Sequence, residues 1–323
     1  MPLENKHFFI FGGTGSVGVE LIKKYISSNH VINYSRDEKK HWDLDSMFRS
    51  NNLKNIIGDI INYNNIETSL LRENPHVIII TSALKHIDRC EYATGESINT
   101  NVLGIRNIMD CIEANRNKLT KLETVIFIST DKACHPVSVY GMCKSLAERI
   151  VIEKSKFITD IKFVCVRFGN ILNSSGSLIP LLHNLGKDHN VKEFKLTDKS
   201  MTRSIISIDD AIELIDHSII EGQSGYTIVP KLRSSYISDL IEIFSEIYKK
   251  PVVLCGLRPG ERMYEVMVND SEALRTVESD KYYYIRPQYL GNIPGKIAIE
   301  YTSKDDILTK QELKDYLVQL RLL

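Results

Sequence analysis

No charge of either sign dominates this 323-residue chain: 41 basic side chains balance 41 acidic ones. A neutral chain has no global field with which to collect nucleic acid or an anionic membrane, so neither is expected as a partner. No apolar run approaches the ~18 residues that a bilayer-spanning helix needs. The six cysteines, at positions 90, 111, 134, 143, 165 and 255, form no Cys-x-x-Cys pair. That removes the common redox and zinc motifs, and no metal is expected. Cys111 and Cys165 stand in apolar patterns, as small core residues do. The chain enters a strand pattern by His7, with no stretch that reads as a signal peptide, and a reducing, cytoplasmic setting is expected. Internal repeats and low-complexity linkers are also missing.

What is present is ordinary globular composition, 43% hydrophobic and 25% charged, in a chain long enough for two domains. Strand-like apolar runs at 7–11, 31–34, 55–57, 77–81, 124–129 and 163–168 alternate with helical patterns, among them 17–27 and a long one over 97–115. Near-continuously apolar strands separated by helices imply a parallel sheet covered on both faces. The fold class expected is α/β, a Rossmann-type doubly wound sheet with a smaller, discontinuous α/β substrate domain. After Gly169 the alternation fails, then a helical stretch at 207–220 and an apolar run at 226–229 return to it. The expected division is 1–171 with 205–229 for the dinucleotide domain, and 172–204 with 230–323 for the substrate domain.

The first strand runs into Gly12-Gly13-Thr14-Gly15-Ser16-Val17-Gly18, then a helix. Glycines at this spacing let backbone N–H groups approach a pyrophosphate, and the helix N-terminus supplies complementary partial charge. A glycine-rich turn without function would not need that strand–turn–helix context. The second strand ends in Ser35-Arg36-Asp37. Arg36, helped by Ser35, suits the 2′-phosphate of NADP; Asp37 pointing inward would instead suit NAD. Asp59 and Ile60, after the third strand, are placed at adenine; capping the next helix is the rival role for Asp59.

Tyr140-Gly141-Met142-Cys143-Lys144 sets a phenol and an ammonium one turn apart on one helix face. Lys144 is expected to lower the Tyr140 pKa, so that Tyr140 can accept a hydroxyl proton as hydride leaves the same carbon. Just before it stands Ser129-Thr130-Asp131-Lys132-Ala133.

These motifs together resemble the extended short-chain dehydrogenase/reductase superfamily. With Ala83-Leu84-Lys85-His86, Asn99-Thr100-Asn101, Gly169-Asn170-Ile171, Met201-Thr202-Arg203 and Arg258-Pro259-Gly260-Glu261, the chain resembles the inverting UDP-N-acetylglucosamine 4,6-dehydratases, from about residue 9 to about residue 268. The resemblance implies a cytoplasmic homo-oligomer, a dimer or a multiple of dimers, that uses NADP to take water from UDP-N-acetylglucosamine and invert C5. It makes Tyr140 and Lys144 the oxidation pair, Asp131, beside Thr130, the acid for the departing C6 hydroxyl, and Lys132 the base at C5. A lysine base must be neutral, so the Lys132 pKa is expected to fall. Retaining glucose-type dehydratases usually carry Glu in its place. Ala83, Lys85 and Asn101 would flank the cofactor. Lys85, His86, Asn170, Asn173, Ser177, Arg203, Arg258 and Glu261 would hold the UDP-sugar, with Arg203 and Arg258 as diphosphate clamps. Two departures bear on sugar choice. Ser175 stands where the family often has Arg, and Ser204-Ile205 where it often has aromatics. A UDP-hexose 4-epimerase shares the glycine loop and the Tyr/Lys pair but has no use for an acid–base pair at C5 and C6. A non-catalytic NADP-sensing module would need none of these four side chains.

Overall fold

In a computed structural model, which describes residues 3–257, 260–291, 297 and 300–323, the alternation becomes a layered domain. Strands β1 (His7–Phe11), β2 (His30–Ser35), β3 (Leu53–Ile57), β4 (Val77–Ile80), β5 (Thr124–Ile128) and β6 (Lys162–Val166) lie parallel, in the order β3-β2-β1-β4-β5-β6. Successive residues of β1 feed opposite faces. Phe8 and Ile10 join one core, Phe9 and Phe11 the other. Helices cover both, which is why these strands are apolar without alternation. Strand order reverses between β1 and β4, and a crevice opens at the carboxyl ends there.

The helix expected over 97–115 is interrupted. Thr94–Ile98 passes through a π turn, Asn99–Leu103, into Gly104–Ala114. Such wide turns often mark functional segments. Here the turn carries Asn101, 1% exposed, whose amide accepts from the Leu84 N–H at 2.8 Å and donates to its carbonyl at 2.9 Å. Gly104 then passes Ile60 so closely that a Cβ would lie 2.6 Å from its Cγ1.

Beyond β6 the chain crosses into the smaller unit through β7 (Asn170–Ile171), β8 (Phe194–Leu196) and β9 (Thr202–Ile206). Helix Ile208–Glu221 and β10 (Thr227–Pro230) return to the main sheet, where β10 pairs parallel with β6. Then β11 (Ser234–Tyr236) joins β9 and β7, and β12 (Val252–Leu254) pairs with β8. The smaller unit has its own core, around Phe194, Leu240, Phe244 and Leu313.

The expected division needs three corrections. Residues 170–171 form β7, which pairs with β9 in the smaller sheet. Residues 205–206 fall within β9, in the smaller sheet. And after β13 (Val266–Val268), β15 (Tyr282–Ile285) pairs antiparallel with β10 and β14 (Thr276–Glu278) antiparallel with β15, extending the main sheet to nine strands among the described residues. Burial of Val268, Tyr282 and Ile285 in the same core as Ile228 accounts for this.

That returning segment is tied down by Arg167, which follows β6 and is 1% exposed. Its guanidinium meets Glu148 through Nε at 3.1 Å and Nη2 at 2.7 Å, and Glu272 through Nη1 at 2.8 Å and Nη2 at 3.0 Å. Nη1 also donates to the Met267 carbonyl at 2.8 Å. Burial alone would raise the Glu272 carboxyl; Arg167 overrides it and holds it at about 2. A carboxyl depressed in the folded state adds stability that is complete above its unfolded value, 4.5, and drains as pH falls toward about 2. Arg167→Met strands two buried carboxylates. It should cost about 3–5 kcal/mol in urea denaturation and start acid unfolding at a higher pH than in the parent; unchanged stability and acid limb would show the network to be idle.

Candidate active site

The crevice at the strand ends is a cleft of about 770 Å³. Its floor is the glycine loop. Gly12 has φ +88°, and a Cβ there would lie 2.7 Å from the Ser82 nitrogen. A Cβ on Gly18 would lie 2.5 Å from the Gly13 Cα, so the first helical turn can pack on the loop only without a side chain. Gly12, Thr14, Gly15, Ser16 and Val17 line the cleft. Helix Ser16–Tyr25 starts at Gly15 with no side-chain cap, leaving its first N–H groups to an incoming anion. Four hydroxyls of cleft-lining residues, on Ser82, Ser129, Ser177 and Ser235, are buried without a protein partner. Backbone cradle, uncapped helix and orphan hydroxyls fit a dinucleotide and a polar substrate side by side.

At the far end of the loop, Ser35, Arg36, Asp59 and Ile60 also line the cleft. The Ser35 hydroxyl is engaged, 2.6 Å from His41 Nε2 and donating to Asn33 Oδ1 at 3.2 Å. Arg36 Nη1 pairs with Asp59 Oδ2 at 3.2 Å. Asp59 does not cap the following helix; Asn62 does, while Asp59 Oδ1 accepts from the Ile61 N–H. Asp37 caps helix Glu38–Phe48, accepting from the Lys40 N–H at 3.1 Å.

Tyr140 and Lys144 sit one turn apart on helix Val139–Phe157, and both face the cleft. Lys144 is 3% exposed, donates to the Ile128 carbonyl and lies 4.0 Å over the Phe127 ring. Burial lowers its ammonium to about 8, against the pull of Glu148. The expectation that Tyr140 is depressed is corrected. Burial raises its phenol to about 12, and the cation opposing this is Lys132, not Lys144, whose ammonium is turned to the Ile128 carbonyl.

The triad after β5 is knit together. Asp131, 1% exposed, accepts on Oδ1 from Thr130 Oγ1 at 2.7 Å, the Lys132 N–H at 2.9 Å and Lys132 Nζ at 3.1 Å. Lys132 Nζ reaches Asn170 Oδ1 at 3.5 Å and Glu265 Oε1 at 3.4 Å. A neutral Lys132 is not what the structure shows. Burial would lower it, but Asp131 and Glu265 raise it above its ordinary value and hold it as an ammonium.

Glu265 went unseen in the sequence, where attention fell on Glu261. The available signal was a lone carboxylate at the head of the apolar run Val266–Val268. Glu261 is half-buried and does not line the cleft. Arg203 does, but its guanidinium turns inward, to the Thr202 and Arg262 carbonyls at 2.7 and 2.9 Å and to Glu265 Oε1 at 3.6 Å. Arg258 lies outside the described residues. Ala83, Lys85, His86, Asn170 and Ser177 line the cleft; Asn173 does not, and Asn101 supports the lining from behind through Leu84. Segment 174–177 closes over the loop. Ser175 N–H donates to Ser16 Oγ at 2.9 Å, Lys85 Nζ donates to the Ser175 carbonyl, and the His86 ring covers Gly176, where a Cβ would lie 2.7 Å from Cε1. Away from the cleft, His135, Asp270 and Glu300 bring one donor atom each within 4.8 Å of one another on a partly exposed surface.

Residues 8–287 match the family described as polysaccharide biosynthesis protein. The chain belongs to that family. A relative named UDP-glucose 4-epimerase, from Rickettsia massiliae, is 34% identical over 338 residues, 98% of this chain and 96% of the relative. Among solved structures, Pen from Bacillus thuringiensis is 30% identical with a TM-score of 0.91, covering 100% of both chains. DesIV, a dTDP-glucose 4,6-dehydratase from Streptomyces venezuelae solved with NAD, is 18% identical with a TM-score of 0.69, over 80% of this chain and 86% of its own; at that identity the likeness is one of fold. This family member has the extended short-chain dehydrogenase/reductase fold that nucleotide-sugar epimerases and dehydratases share. Among its described residues, no helix is long and apolar enough to cross a membrane.

Proposed function

We propose that the chain is an NADP-dependent UDP-N-acetylglucosamine 4,6-dehydratase that inverts C5, working as a homo-oligomer. The observation that carries this is the buried Asp131–Lys132–Glu265 cluster beside Tyr140. Oxidation and reduction at one carbon need a tyrosine and a lysine; Lys132 at the cleft, with two carboxylates buried behind it, is proton machinery for a second position. When bound, the nicotinamide would take a hydride from C4 of the sugar and return it at C6. Gly12, Thr14, Gly15, Ser16 and Val17 would cradle its diphosphate. Arg36, Asp37 and Lys40 all line the cleft, and the Asp37 carboxylate is engaged as a helix cap; two cations beside it support NADP over NAD.

Tyr140 would take the C4 hydroxyl proton as a phenolate, the form that the positive charge of a bound oxidised nicotinamide would favour over the phenol that burial favours. The C4 ketone then acidifies the C5 hydrogen, which Lys132 would remove, while Asp131, in the turnover state in which it carries a proton, would give that proton to the hydroxyl leaving C6 and be left as a carboxylate. Lys144 would hold the cofactor ribose, while the positive charge near the phenol is that of Lys132. Asn170 and Ser177 at the cleft wall, with Lys85 and His86, suit a UDP-sugar. Epimerisation at C4 is the second reading, favoured by the name of the Rickettsia relatives. It uses Tyr140 and Lys144 and leaves the cluster without work.

Incubation with UDP-N-acetylglucosamine should yield a product lighter by one water. Tyr140→Phe and Lys132→Ala should both stop water loss, but only Lys132→Ala should still accumulate reduced cofactor. An isomer of unchanged mass would establish epimerisation instead, and equal cofactor reduction in both variants would refute the division of labour.

The wild-type protein should bind NADP more tightly than NAD, and Arg36→Ala should erase the preference in a titration. A tenfold preference for NAD, about 1.4 kcal/mol, would assign the ribose to another side chain.

A further inference from the structure

Two cations of the cleft lining, Lys132 and Arg203, meet two carboxylates buried behind it, Asp131 and Glu265. Each carboxylate uses one oxygen. Asp131 Oδ1 already serves three donors, and Glu265 Oε1 faces Lys132 Nζ at 3.4 Å and Arg203 Nε at 3.6 Å. Asp131 Oδ2 and Glu265 Oε2 are buried without a partner. Glu265 is 3% exposed, its backbone N–H is held by Ser303 Oγ at 2.9 Å, and two residues on the Met267 carbonyl is gripped by Arg167. Its position is therefore fixed from the main sheet, not by the substrate.

This arrangement poses a chemical problem for the dehydratase reading, on which the inference rests. An ammonium cannot accept a proton. Lys132 lies between two carboxylates and is held charged, so it must lose a proton before it can act at C5. Asp131 is a poor receiver, with backbone N–H, hydroxyl and ammonium converging on one oxygen. Among the described residues no backbone N–H or hydroxyl donates to the Glu265 side chain, and a dry carboxyl with an orphan oxygen is cheaper to keep neutral than charged. Tyr140 and Lys144 face the same space but stand on the helix opposite, and Arg203 bears on Glu265 from β9.

We infer that Glu265 is a positioning residue that holds Lys132 in place and takes its proton, so converting it into the amine that acts at C5. One N–H bond of Lys132 breaks and an O–H bond forms on Glu265. The freed lone pair on Nζ then takes the C5 proton, and the C5–H electrons pass into the enolate of the C4 ketone. Lys132 is again an ammonium, Glu265 a carboxylic acid, and the added positive charge balances the enolate. Burial raises the Glu265 carboxyl above its ordinary range against the pull of Lys132, in the direction this role requires.

The test compares the full-length chain with Glu265→Gln and Glu265→Asp, using NADP and UDP-N-acetylglucosamine. Three quantities are read across pH: reduced cofactor in a single turnover, water loss by mass, and thermal melting. Gln accepts from Lys132 but takes no proton. It should reduce cofactor at close to the parent rate, lose water at least ~100-fold more slowly, and do so faster as pH rises, because solvent must now deprotonate Lys132. Asp, with a carboxyl set farther back, should lose water only about tenfold more slowly than the parent. Parent-like water loss in the Gln variant would overturn the proposal. So would a matching fall in cofactor reduction with an unchanged pH profile, the mark of a merely structural side chain. If the Gln variant does not fold, the Asp variant decides alone: equal slowing of both steps overturns the proposal, and slowing confined to water loss sustains it. A parent chain that isomerises this substrate without losing water would sink the dehydratase reading and the proposal with it; a parent that loses water beside an unaffected Gln variant sinks the proposal only.

Discussion

A buried guanidinium is expensive unless every donor is answered, and Arg167 is answered by two carboxylates and a carbonyl. What those partners belong to matters more than their number. Glu148 lies one turn beyond Lys144 on the helix that carries Tyr140. Glu272 belongs to helix Asp270–Ala273, and Cys134, two residues after Lys132, donates to it at 3.2 Å. Met267 lies two residues past Glu265. One side chain at the end of β6 thus fixes the helix that carries Tyr140 and Lys144 and the strand that brings a carboxylate to Lys132. Arg167 does not line the cleft, yet both halves of the cluster are registered to it.

The two lysines of the site show how environment assigns roles. Lys144 sits on an aromatic ring and a carbonyl, in a dry setting that lowers it to about 8. Lys132 sits between carboxylates that keep it charged. Reading spacing alone reverses them, because a base ought to be the lysine with the depressed pKa. Pairs of titratable groups pushed in opposite directions are a recurrent sign of divided acid–base labour, and here the division implies that Lys132 needs a proton acceptor.

Much of the frame was legible because it is local. The run from β1 through the glycine loop to an uncapped helix, and the Tyr140/Lys144 pair on one face, depend on residues close in sequence. What stayed hidden depends on distant partners. The ionisation of Lys132 is set by Asp131 beside it and then by Glu265, which is remote in the chain and heads an apolar run that reads as a plain strand. The edge strands β14 and β15 carry too few residues for a period to show, and join the main sheet through burial of Tyr282 and Ile285. The break in the helix over 97–115 is invisible to apolar spacing, since it follows from Asn101 reaching Leu84 and Gly104 passing Ile60. Asp37 and Arg36 are adjacent, and spacing does not show that Asp37 caps helix Glu38–Phe48 while Arg36 pairs with Asp59.

The central claim is that this cluster works at C5, a carbon that a simple C4 epimerase never touches. In the starting sugar H3 and H5 share a ring face and cross-relax in proton NMR. Proton removal at C5 followed by return from the opposite face separates them. The first-formed product, read before the free ketone scrambles C5 on its own, should have lost water and should show no H3–H5 signal. A dehydrated product that keeps the signal would show retention at C5, and a product that keeps both its water and its H5 would contradict the account at its root.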